Sequence, residues 1–231
     1  MAAEQQHGKS FERLVIDETG LFPRAEGVVF GPTEDFDIPA DRTENGIPVS
    51  IKSRKSSPWS GGQPVIEMGD ARRFLHHSTR APMRIIAGLY RQEGAWLRVY
   101  EIHDLHLDPS MAPWLWGDLQ ETEIAAFVRA IEDWAAEDDA AGVVKRDRAQ
   151  AKARRHKSRM LPRAGLVALN QKINTTNRRL QCSINLFHLH NACRQYGTPA
   201  RIVTDEDPDP TFGRIRLPLR LPAGARSRRV A

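Results

Sequence analysis

The stretch that decides the predicted fold is residues 35–55, which read DFDIPADRTENGIPVSIKSRK. Apolar and acidic residues alternate around Asp37, as they do in a half-buried strand. An Asn-Gly pair then indicates a tight turn. On the strand that follows, side chains alternate between two faces, so Ser50 and Lys52 share one face. The sequence therefore predicts two neighbouring strands on which Asp37 and Lys52 meet.

An acid beside a lysine suits the metal-assisted hydrolysis of a phosphodiester bond. Carboxylate oxygens bind hard divalent cations. The metal polarises the phosphate and helps to form hydroxide, while an ammonium group stabilises the negative charge that develops. The alternative is an exposed hairpin that carries ordinary surface charges, since Asp–Lys pairs are common on protein surfaces.

The composition indicates a globular protein with an anionic partner. The chain has 231 residues, of which 40% are hydrophobic and 27% charged, so it is long enough for one large domain or a domain with an appendage. A net charge of +5 favours a polyanion partner where the charge is clustered. Cys182 and Cys193 fit neither a disulfide framework nor a metal knuckle. We expect reduced thiols in a cytoplasmic protein without a membrane partner, because the sequence shows no signal-type or membrane-length apolar run.

Hydrophobic periodicity divides the first half into helices and strands. A helix over 4–18 carries an apolar stripe with Glu12 beside it, and Asp70 is a suitable N-cap for a second, shorter helix. The further predicted elements are, in order, a strand at 28–30, the strands of residues 35–55, a loop at 56–64, a strand at 65–68, the short helix at 70–77, and strands at 83–90 and 95–102. This order fits a mixed α/β sheet with helices on its faces.

This order of elements, with these residues in it, resembles the core of the PD-(D/E)XK nuclease superfamily, which includes many type II restriction endonucleases. The first helix carries an acid, Glu12 in GKSFERLV, and the second strand ends with an acid, Asp37 in DFDIP. The next strand carries the lysine element, with Lys52 in VSIKSRK, and a helix with arginines follows as GDARRFLHH. The resemblance covers roughly residues 5–103.

The resemblance implies an αβββαβ core and gives roles to the residues that match it. Asp37 would be the principal Mg2+ ligand, Lys52 would orient the attacking water, and Glu12 would complete the acidic cluster. The family expects an acid two places before the lysine, where this chain has Ser50, so we expect Ser50 to make a weak or water-mediated contact. Glu12 and Glu67 are the candidates for the missing acid, and Glu12 is favoured.

The second half is predicted to be largely helical and basic. The proline- and tryptophan-rich segment 104–117 is expected to be irregular, and a helical pattern then extends over 119–160 with a break at Gly142. Residues 145–163 contain nine basic side chains and one acidic one. That cluster is typical of a phosphate-backbone footprint, and the alternative is a solvated charged helix.

Residues 174–186 are rich in donors that can pair with base edges. Packing or polar contacts are favoured over a zinc site for His188, His190 and Cys193, and 213–221 is predicted to be an edge strand. The predicted DNA-contacting residues are Arg54, Lys55, Arg72, Arg73, Arg154, Arg155, Asn177, Arg178, Arg179 and Gln181.

The sequence therefore predicts a nuclease core at 1–117, and a helical, basic extension of the same domain at 118–231 that contacts DNA and dimerises. The expected activity is that of a type II restriction enzyme, a Mg2+-dependent endonuclease that cuts double-stranded DNA at a specific site as a homodimer. The alternatives are a structure-specific nuclease for junctions or repair, and a DNA-binding relative that lost catalysis with the acid at Ser50.

Overall fold

The structure is a computed structural model that describes residues 3–29, 36–56, 64–142, 147–174 and 177–222, with side chains from residue 9 onward. The chain forms two compact units that interleave along the sequence. The first unit comprises 1–66, 82–107 and 190–231, and the second comprises 67–81 and 108–189.

The helices and strands are as follows. The helices are α1 (Ala3–Asp17), α2 (Ala71–Ser78), α3 (Ala112–Trp116), α4 (Glu121–Ala140), α5 (Asp147–Met160) and α6 (Leu186–Gln195). The strands are β1 (Val49–Lys55), β2 (Val65–Asp70), β3 (Met83–Glu93), β4 (Trp96–Leu107), β5 (Ala168–Ile173), β6 (Arg178–Asn185), β7 (Ala200–Thr204), β8 (Thr211–Phe212), β9 (Ile215–Arg216) and β10 (Leu219–Pro222).

The first unit is built on a mixed sheet in the order β1-β3-β4-β10, with β7 also paired to β4. Strand β1 runs parallel to β3, whereas β4 is antiparallel to β3, β7 and β10. In the parallel register Lys52 lies opposite Ala87. Helix α1 packs on β1. Its stripe of Phe11, Leu14 and Val15 is buried in the hydrophobic core of the sheet.

Close packing of α1 on the sheet depends on Gly88 of β3. A Cβ atom at Gly88 would lie 2.4 Å from the ring of Phe11, which is closer than real Cβ contacts permit. The absence of a side chain at Gly88 therefore lets the Phe11 ring rest directly on the strand, and this contact sets the height of the helix that carries Glu12.

The second unit combines a sheet in the order β2-β6-β5 with helices α2 to α5. The first unit ends and the second begins within β2, between Ile66 and Glu67. Buried Trp116 donates its indole N–H to Ser78 Oγ at 2.9 Å, which satisfies the polar atom of a ring that is otherwise in the core. Helices α4 and α5 pack against each other.

The predicted mixed α/β class is confirmed, with a mixed sheet and flanking helices. The helix at 4–18, the helix at 70–77 with its Asp70 cap, and the strands at 65–68, 83–90 and 95–102 all form. Gly142 does end the first of the two long helices, with a φ of +69° that favours glycine.

Other predictions needed correction. Residues 28 and 29 are not in a strand, and residue 30 lies outside the described residues. The strand predicted around Asp37 is reduced to one antiparallel bridge between Ile38 and Val49, because Pro39 follows and cannot donate a ladder hydrogen bond. Segment 104–117 is regular: β4 continues to Leu107, and a 3-10 helix and α3 follow.

The second half also differs from the prediction of a largely helical extension. Strands β5 to β10 lie there beside α4, α5 and α6. The edge position predicted for 213–221 is confirmed for β10, which pairs with β4 at the end of the sheet. The two units do not divide at residue 117, since each takes segments from both halves of the chain.

Candidate active site

The carboxylate of Asp37 is held by the strand that carries the lysine. Asp37 directly precedes Ile38, whose bridge to Val49 brings the acid beside the start of β1. Its Oδ2 atom accepts the backbone N–H of Ile51 at 2.5 Å, the Lys52 ammonium at 2.9 Å and the Ser50 hydroxyl at 3.3 Å. Three consecutive residues of β1 thus converge on one carboxylate oxygen.

Lys52 joins the carboxylate to the backbone of its own strand. Its ammonium group donates to Asp37 Oδ2 and, at 3.0 Å, to the carbonyl oxygen of Ile51. The side chains of Lys52 and Asp37 are 25% and 26% exposed, so the ion pair is largely shielded but reachable from solvent. The pair is therefore accessible to a ligand without any unfolding of the core.

Glu12 brings a second carboxylate to the same place from α1. The residue is half-buried and follows Phe11, which rests on Gly88. Burial raises the pKa of Glu12, the negative charge of Asp37 raises it further, and the positive charges of Lys52, Lys9 and Arg13 oppose these effects. Glu12, Asp37 and Lys52 therefore form one electrostatically coupled cluster. Ser50, the fourth residue of the predicted catalytic set, joins this cluster through its hydrogen bond to Asp37.

At position 50, where the resemblance to the nucleases predicts an acid, the chain has a buried hydroxyl. Ser50 is 7% exposed and its hydroxyl donates to Asp37, so it supports the carboxylate instead of adding a second one beside it. The other candidate for the missing acid, Glu67, is an exposed residue of the second unit that forms an ion pair with Lys172 at 3.6 Å.

The donor set of this cluster fits Mg2+. The ion binds in proteins through one or two carboxylates and leaves its other positions to water and substrate phosphate. Asp37 and Glu12 supply two carboxylates, and the three hydrogen bonds to Asp37 all go to Oδ2 and none to Oδ1 within the described residues. Across the described ranges, no group of three or more His, Cys, Asp or Glu side chains is arranged to hold a metal ion.

The predicted DNA-contacting residues are distributed over both units. In the first unit, Arg54 and Lys55 are exposed at the end of β1, and Lys55 donates to Gln92 at 3.1 Å. Arg54 follows Lys52 by two residues, so the alternation of the strand puts both on one face. In the second unit, Arg72 and Arg73 are exposed on the first turn of α2.

The remaining candidates lie on α5 and on the β5–β6 hairpin of the second unit. Arg154 and Arg155 are exposed on α5. The side chain of Asn177 contacts Asn174, and Arg178 forms an ion pair with Asp139. Arg179 is exposed, and Gln181 is 6% exposed. With the Gln181 amide turned so that its oxygen faces Arg179, that oxygen accepts the guanidinium N–H at 2.9 Å. Gln181 thus orients Arg179 and has little surface left for a base.

A buried acid–histidine pair was not predicted from the sequence. His103 of β4 is fully buried, and its Nε2 atom lies 2.5 Å from Glu101 Oε1. Register places Ala87 between Lys52 on one side and His103 on the other, so the pair faces the same side of the sheet as the lysine. The i, i+2 spacing of Glu101 and His103 in an alternating strand was the available signal.

Next to this pair is a cavity of about 450 Å³, whose lining includes Arg91, Arg98, Glu101 and Asp205. Arg98 already binds the Asp205 carboxylate at 2.7 Å, and Arg91 lies over the Tyr100 ring at 4.7 Å from its centroid. Arg98 and Asp205 thus pair within the cavity, and its charged lining comprises two arginines and three acids, Glu101, Asp205 and Glu206.

The histidine and cysteine residues near the C-terminus make contacts with the protein. His188 is exposed, while burial and nearby His103 lower the pKa of His190. Cys193 donates to the carbonyl of His106 at 3.4 Å, and burial raises its pKa. Cys182 is fully buried, and burial also raises the pKa of that thiol.

Comparisons with protein-family models, with curated proteins and with solved structures found no match to this chain. Among the described residues, none of the helices has the length and apolar character needed to cross a membrane.

Proposed function

We propose that this chain is a Mg2+-dependent endonuclease that hydrolyses phosphodiester bonds of double-stranded DNA at a specific site and acts as a homodimer. The observation that carries the proposal is the convergence of Ser50, Ile51 and Lys52 on Asp37 Oδ2, with Glu12 close enough for its pKa to respond to both charges. Cytoplasmic localisation belongs to the same proposal.

Asp37 and Glu12 would hold the metal. When bound there, Mg2+ would polarise the scissile phosphate and lower the pKa of a water molecule. Burial is the larger cause of the raised pKa of Glu12 and the negative charge of Asp37 is the second, and a cation held by the two carboxylates would offset both. A bound ion would therefore stabilise the cluster as well as supply the proposed chemistry.

Lys52 would orient the nucleophile and stabilise the negative charge that develops on the phosphate. Its ammonium group is fixed between Asp37 Oδ2 and the Ile51 carbonyl, so little reorganisation is needed when substrate arrives. Ser50 would keep the Asp37 carboxylate in place through its hydrogen bond. Arg54, exposed two residues further along β1, would contact a neighbouring phosphate.

A cleavage assay tests the proposal. Unmodified plasmid and phage DNA are incubated with Mg2+ or EDTA and with the native protein, Asp37→Ala, Lys52→Ala or the control Asp41→Ala. Asp41 is an exposed acid from the same segment. We expect discrete Mg2+-dependent bands with the native protein and Asp41→Ala, and a loss of about 100-fold or more with the two site variants.

The buried serine at the acid position favours one competing function, a DNA-binding relative without catalysis. The same assay separates the possibilities. Mobility shifts without cleavage, retained in all four proteins, would establish the binding protein and overturn the nuclease. Cleavage confined to branched substrates would replace a site-specific enzyme with a structure-specific one.

A further inference from the structure

Helix α5 of the second unit carries a straight row of cations along one flank. Arg148, Lys152, Arg155 and Arg159 follow the spacing i, i+4, i+7 and i+11, which puts them on one side of a helix. All four are exposed. We name these four residues the α5 stripe. At 1.5 Å per residue, the stripe is about 17 Å long.

The orientation of the stripe is fixed by the buried side of the helix, which lies about a quarter to a third of a turn away from it. Ala149 and Ala153 are fully buried where α5 packs on α4. The His156 ring lies 4.5 Å from the Phe127 ring, measured between centroids. The buried Asp138 carboxylate of α4 accepts the backbone N–H of Ala149 at 2.9 Å, which anchors the first turn. The helix cannot rotate its charges inward without losing these contacts.

The stripe is incompletely neutralised by the protein. Lys152 forms an ion pair with Glu137 of α4. For Arg148, Arg155 and Arg159, the described part of the chain supplies no carboxylate within ion-pair distance. Neighbouring members of the stripe repel each other, because like charges three or four residues apart destabilise a helix. An external anion would relieve this repulsion.

We propose that the α5 stripe binds the sugar-phosphate backbone of double-stranded DNA. The proposal rests on the proposed function for its choice of polyanion. Duplex DNA carries one charge per about 1.7 Å of axis, so a row of cations about 17 Å long is long enough to lie beside several phosphates. Arginine suits this contact because its planar guanidinium binds phosphate through two hydrogen bonds.

The chemistry of α5 favours a nucleic acid over a lipid surface. Membrane-surface helices insert large apolar side chains between lipids. The exposed positions of α5 carry only charged or small polar residues, and its buried residues are Ala149, Ala153 and Met160. The stripe also divides the predicted DNA-contacting pair, since Arg155 belongs to it and Arg154 points away from that flank.

Fluorescence anisotropy with a labelled duplex of about 20 base pairs tests the proposal, with EDTA present so that cleavage does not interfere. The logarithm of affinity falls with the logarithm of salt concentration by about 0.9 for each phosphate contact. We expect Arg155→Gln/Arg159→Gln to reduce that slope by about 1.8 and to weaken binding. Arg155→Lys/Arg159→Lys should keep the slope, because it keeps the charge.

The matched control, Arg129→Gln/Arg194→Gln, removes two exposed arginines from α4 and α6. We expect its slope to equal that of the native protein. Equal losses in the stripe and control variants would reduce the effect to net charge and overturn the proposal. An unchanged slope in the stripe variant, or tighter binding of the native protein to vesicles with 30% phosphatidylserine than to the duplex, would overturn it as well.

Failure of the stripe and failure of the nuclease give different results. If the protein never cleaves DNA, but duplex binding is lost in the stripe variant and not in the control, the stripe proposal stands and the proposed nuclease function is overturned. If the protein cleaves DNA but Arg155→Gln/Arg159→Gln binds the duplex as well as the native protein does, the stripe proposal is overturned and the nuclease proposal stands. Thermal melting of each variant establishes that it is folded.

Discussion

Lys52 Nζ lies 2.9 Å from Asp37 Oδ2, and the backbone N–H of the residue before Lys52 binds the same oxygen. The acid is therefore held by the main chain of β1 as well as by a flexible ammonium. A backbone N–H donor fixes the position of the carboxylate more firmly than a flexible side-chain donor does. Preorganisation of this kind is what the proposed catalytic cluster would require.

The first prediction concerns this double anchoring. Asp37→Ala leaves the Ile51 N–H and the Lys52 ammonium without their acceptor, and we expect a loss of about 1–3 kcal/mol in the free energy of unfolding. Asp37→Asn retains an acceptor oxygen and should lose less. Urea denaturation measures both, with Asp41→Ala expected to stay within about 0.5 kcal/mol of the native protein. Equal losses for Asn and Ala would mean that the charge alone anchors the residue.

The second prediction concerns the substitution Ser50→Asp, which places an acid two residues before Lys52. An aspartate there would add a third carboxylate to those of Asp37 and Glu12, at a position that is 7% exposed. Without metal, repulsion and burial should lower the melting temperature of Ser50→Asp below that of the uncharged control Ser50→Ala. Added Mg2+ should raise the melting temperature of Ser50→Asp by more than that of Ser50→Ala. Equal Mg2+ responses in the two variants would place the metal elsewhere.

The third prediction is the pH dependence of Glu12. Its pKa is raised in the folded protein above the ordinary value of 4.5. The stability it contributes is therefore fully present below pH 4.5 and is lost as the pH rises through the raised, folded-state pKa. Glu12→Gln cannot ionise, so it should match the native protein near pH 4 and exceed it in stability at pH 8.

Urea denaturation at the two pH values measures this difference. The control Glu18→Gln changes an exposed acid that follows the same helix, and it should stay within about 0.5 kcal/mol of the native protein at both values. A native protein that is more stable than Glu12→Gln at pH 8 would show that Lys52 outweighs burial and Asp37.

Local signals in the sequence were sufficient for most elements of the first unit. The alternation of residues 49–55 and the apolar run from Met83 predicted the two strands that form the parallel pair. Asn45 and Gly46 predicted the turn between the acid and the lysine. There Gly46 has a φ of +69°, and Asn45 Oδ1 accepts the N–H of Ile47 at 3.1 Å.

Long-range pairing was beyond such signals. Strands β7 and β10 both pair with β4, and they come from the end of the chain, more than 90 residues after it. Nothing in the local pattern of β4 indicates these two partner strands, because an edge strand and a central strand share the same alternation. The interleaving of the two units and the burial of His103 depend on this pairing, so they could not be predicted either.

The fourth prediction concerns Gly88. An alanine there meets the Phe11 ring at 2.4 Å, so α1 must move away from the sheet or the ring must rotate. We expect Gly88→Ala to cost about 1–3 kcal/mol in the free energy of unfolding and to lower cleavage, because α1 carries Glu12. In the double variant with Phe11→Leu, the penalty of Gly88→Ala should shrink. If the loss in the double variant equals the sum of the losses in the two single variants, as measured by urea denaturation, the clash with the Phe11 ring is not the cause of the Gly88→Ala penalty.

The last prediction links the fold of the second unit to the DNA binding proposed for it. Asp138 is buried on α4 and accepts the Ala149 N–H, one of the first amides of α5, which have no partner within their own helix. Asp138→Ala removes this cap, and we expect a loss of about 1–2 kcal/mol in the free energy of unfolding and a lower helical signal in circular dichroism. Asp138→Asn keeps an acceptor oxygen and should retain most of the stability.

Because Asp138 positions α5 without belonging to its exposed row of cations, Asp138→Ala should weaken duplex binding in EDTA, and Asp138→Asn should not. Native affinity in Asp138→Ala, together with a lost helical signal, would show that an ordered α5 is not required for binding.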